Sequence, residues 1–73
     1  MITDINNLIG CAMSLLSGQE ADYGDGKVLS PQSADDMKCI ARDITEYLKN
    51  STMKSEVEMQ KLEHYKYTLL AIA

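Results

Sequence analysis

The stretch from Met37 to Leu48 constrains this chain most. Met37, Ile40, Ala41, Ile44, Tyr47 and Leu48 recur three and four residues apart, the period of one face of an α-helix. Lys38, Arg42, Asp43, Glu46 and Lys49 fill the other positions and read as its solvated back. The start of this helix is marked by Ser30 before Pro31, a side-chain acceptor followed by a residue that lacks the orphan N–H. Ser33 with Asp36 offers a competing start within the same turn. Asp35 and Asp36 lie near the positive end of the helix dipole.

A helix with one apolar stripe needs something to cover it, and the flanking segments supply further helices. Upstream, Thr3 or Asp4 can cap a helix carrying Ile5, Leu8, Ile9, Ala12, Met13 and Leu16 on one face, with Gly18 as its stop. Its other face holds Asn7, Gly10, Ser14 and Ser17, all small and uncharged, where a solvated back normally carries Lys and Glu. Such a face suits close approach, by a neighbour in the same fold or by another chain. Downstream, Asn50-Ser51-Thr52 ends one helix, and Ser55 with Glu58 has the spacing of a capping box. The last helix then places Met59, Leu62, Leu69 and Ala73 on one face.

The expected fold is therefore all-α: one domain over residues 1–73, with helices at about 4–17, 31–49 and 53–72 and a loop at 18–29. The last two helices are expected to form an antiparallel hairpin, the alternative being one long helix in an oligomer. In the loop, Tyr23-Gly24-Asp25-Gly26 is dense in turn formers, and Lys27-Val28-Leu29 is too short to establish a sheet.

That loop is the one place where ligand chemistry could be sought, and each motif fails by position. With Gly26 at the sixth position of a calcium loop, the first, third and twelfth positions are Ala21, Tyr23 and Gln32, which are not the required oxygen ligands. A phosphate loop fails because Val28 follows Lys27 and Ala21 stands in place of its first glycine. Cys11, Cys39 and His64 are scattered singly, not paired as zinc ligands. No serine sits in a nucleophile elbow, and so short a chain builds a dry ligand pocket with difficulty. The expectation is a protein that is not an enzyme and uses no cofactor or metal.

Charge narrows the partners. Residues 1–26 carry four acids and no Lys or Arg, and from Lys27 onward seven basic residues balance seven acidic ones, which gives the net charge of −4. Direct nucleic-acid binding is not expected from so acidic a balance. No apolar run reaches the roughly 20 residues that span a bilayer, and the N-terminus lacks the basic region of an export signal. The reading is a cytoplasmic protein with two free thiols and no membrane partner.

Binding of another protein, or of a second copy, remains. The chain has no Phe or Trp to bulk its core, and five methionines supply adaptable apolar contact. "YKYTLLAIA" is apolar on nearly every side, as a covered helix is. The expected interface is Gly10 and Ser14 on the first helix with Tyr65, Tyr67, Leu69, Leu70 and Ile72 on the last. Tyrosine suits such a role because it buries area and keeps a polar tip. The function expected is a protein-binding module: an adaptor, small chaperone or inhibitor subunit. The alternative is an acidic inhibitor of a nucleic-acid-binding protein, of phage or mobile-element type. Its patch would be Glu20, Asp22, Asp25, Asp35 and Asp36.

Overall fold

In a computed structural model, which describes residues 4–24, 26–50 and 55–73, three helices enclose the core and a small β-hairpin flanks them. Helix α1 spans Ile5–Leu16, α2 spans Ala34–Asn50 and α3 spans Glu56–Ile72. Strands β1 (Ala21–Gly24) and β2 (Lys27–Leu29) pair antiparallel, with Ala21 opposite Leu29 and Asp22 opposite Val28. The fold is mostly helical but not all-α, because the expected loop at 18–29 contains this hairpin. The register is irregular between Asp22 and Gly24. Gly24 has φ of +106° and Gly26 of +80°, left-handed values that glycine reaches without a Cβ clash.

Local chemistry sets the helix ends. Asp4 caps α1 by accepting from the Asn6 N–H at 2.9 Å. Its C-terminus closes as a Schellman motif. Gly18, at φ +80°, donates to Leu15 O, and Gln19 donates to Ser14 O. Ser55 caps α3 by accepting from the Glu58 N–H at 3.1 Å. This extended cap residue starts α3 separately from α2, so the hairpin arrangement holds and the single long helix does not. Residues 51–54, including the expected first turn of the last helix, lie outside the described residues.

Helix α2 begins three residues later than Ser30-Pro31 suggested. Residues 30–33 form a turn instead, with the Ser33 N–H donating to Ser30 O at 3.2 Å and Pro31 in the turn position that its fixed φ favours. Ser33 is the cap, accepting from the Asp36 N–H at 3.2 Å. The Asp36 carboxylate reaches back over the turn to accept from the Ser30 N–H at 2.8 Å.

The core joins all five elements. Leu8, Cys11, Ala12 and Leu15 come from α1, Ala21 and Leu29 from the strands, Met37, Ile40, Ala41 and Ile44 from α2, and Leu62 and Leu69 from α3. On α1 the buried stripe turns toward Cys11 and Leu15, which leaves Met13 half-exposed rather than inside. The accessible surface of 4662 Å² is close to the roughly 4,500 Å² expected of a folded monomer of this mass. The chain thus covers its own core.

Candidate protein-binding surface

The seven residues expected at an interface do not form one patch. Leu69 is fully buried in the core, and Tyr65 packs against that core while half-buried. Leu69 is therefore a structural residue, a correction that follows from α3 turning this side chain toward α2 and α1. Tyr67 is 63% exposed and Leu70 42%. Standing three apart, they share one outer face of α3. Ile72, 56% exposed, falls on another flank of the same helix. Lys66 Nζ lies 5.3 Å from the centre of the Tyr67 ring, a cation–π contact at the edge of the apolar area.

Gly10 and Ser14 lie elsewhere, in a shallow groove of about 230 Å³ between α1 and β1. Asn6, Asn7, Cys11, Ala21 and Asp22 complete its lining. Gly10 is exposed, and a Cβ built on it would meet nothing within 4 Å. The small back of α1 is thus not wedged against a neighbour at this point of the fold. Gly10→Ala is expected to stabilise the protein by about 0.5–1 kcal/mol, because alanine is the better helix former and the space is open. Urea denaturation checks this; a loss of stability would mean that Gly10 serves a close approach within the chain.

The acidic residues are also divided. Glu20, Asp22 and Asp35 are exposed. Asp22 Oδ1 accepts from the Gly24 N–H at 3.0 Å, which shapes the hairpin turn, and Asp36 is committed to Ser30. Asp25 lies outside the described residues. Among the described residues no three His, Cys, Asp or Glu side chains gather as a metal-binding group, and no helix is long and apolar enough to cross a membrane.

The most unusual polar site was hidden from the sequence pattern. Asp43, read there as part of the solvated back of α2, is only 4% exposed. Tyr23 of β1 donates its hydroxyl hydrogen bond to Asp43 Oδ2 at 2.6 Å, the length of a charge-assisted bond. Burial, then the Asp43 carboxylate and the Cys39 thiol beside it, push the Tyr23 hydroxyl well above its ordinary pKa. Lys27 Nζ stands 5.2 Å from the Tyr23 ring centre, so the ring is held from both strands and from α2. On the α1 side, Cys11 Sγ donates to the Asp22 carbonyl at 3.4 Å. Burial raises the Cys11 thiol pKa, with Asp22 and Asp43 adding to the effect. One signal for Asp43 was present: it lies four residues before Tyr47, hence about 40° from it around the helix, at the border of the apolar stripe.

Comparison of the chain with protein-family models, with curated proteins and with solved structures finds no match.

Proposed function

We propose that this chain is a non-enzymatic protein-binding module whose contact surface centres on Tyr67 and Leu70. The observation that carries this reading is the exposure of both side chains on one face of α3 while the core beneath is already closed. Water-exposed apolar area that the fold does not need is available to a partner. Lys66 over the Tyr67 ring supplies a polar rim. Gly10 and Ser14, in the groove beside β1, form a second and smaller contact area. The partner that fits is another protein, or a second copy, that offers an apolar cleft.

Affinity capture with Tyr67→Ser and Leu70→Asp variants tests this. Each is expected to weaken capture of the same partner by about 30-fold or more, the scale of a central interface residue. The urea midpoint should barely move, because neither side chain contributes to the core. Light scattering at increasing concentration separates a second copy from a different protein. If both variants keep every partner and the same mass in solution, the surface is not the binding site.

The acidic-inhibitor reading draws on the exposure of Glu20, Asp22 and Asp35. It is the weaker of the two, since the Asp36 carboxylate is occupied within the fold.

A further inference from the structure

We draw no further inference here: the strongest candidate, the shallow groove between α1 and β1 lined by Gly10, Ser14 and Asp22, joins the small-residue face of α1 to the exposed Asp22 carboxylate, and nothing in the structure shows what covers it.

Discussion

Leu69→Ala is expected to lower the thermal midpoint by roughly 8–40 °C, while Leu70→Ala, one residue on, leaves it nearly unchanged. Leu69 is fully buried, and truncating such a leucine costs about 2–5 kcal/mol from lost transfer energy and the cavity left behind. A domain of this length holds only about 4–11 kcal/mol of stability in total. Each kcal/mol shifts the midpoint of so small a domain by about 4–8 °C. Leu70 is 42% exposed, and surface changes of this kind stay within about 0.5 kcal/mol. Thermal denaturation followed by circular dichroism of the two variants is sufficient. Equal midpoints would mean that α3 is rotated from the orientation described.

The second large effect belongs to the buried acid. Asp43→Ala is expected to cost about 1.5–3 kcal/mol, the scale of a hydrogen bond to a charged group, whereas Asp35→Ala on the exposed first turn costs far less. The pair also predicts an alkaline limit. The folded state holds the Tyr23 hydroxyl above its unfolded value of about 10. Folding therefore favours the protonated phenol, and this contribution is complete below pH 10. It is lost as pH rises from there toward the higher folded value. Urea midpoints between about pH 8 and 11 should fall more steeply for the wild-type protein than for Tyr23→Phe, which has no proton to lose. Parallel curves would mean that the hydroxyl is not bonded to Asp43 in solution.

The helices were legible because each carries its own local instructions. Ser55 with Glu58, Asp4 before Ile5 and Gly18 after Leu16 act within one turn of chain, and the structure uses all three. The start of α2 was legible only as a choice. Pro31 suits the first turn of a helix and the second position of a β-turn equally, and the Asp36 carboxylate bonded to the Ser30 N–H favours the turn. The hairpin was missed because its strands are four and three residues long, too short for alternation to register. The usable signal was the Asp25-Gly26 step, a common hairpin connection, set between Tyr23 and Val28.

Long-range choices were the least legible. Nothing local says that Asp43 faces inward; its partner Tyr23 is 20 residues away on a strand that the pattern did not reveal. Likewise, the all-round apolar character of the C-terminal stretch placed Leu69 and Leu70 together at an interface. Only the packing of α3 against α2 and α1 separates a core leucine from a surface one.

The placement of cations gives the molecule a natural seam. Lys27, exposed at the start of β2, is a trypsin site, and residues 1–26 contain no Lys or Arg. A nick after Lys27 would cut inside β2, behind its first residue, and release a segment that carries all of α1. That segment still offers Leu8, Ala12 and Leu15 to a surface made by α2 and α3. In this light α1 is less a leading helix than a tethered ligand, held by side chains that a separate peptide would carry equally well.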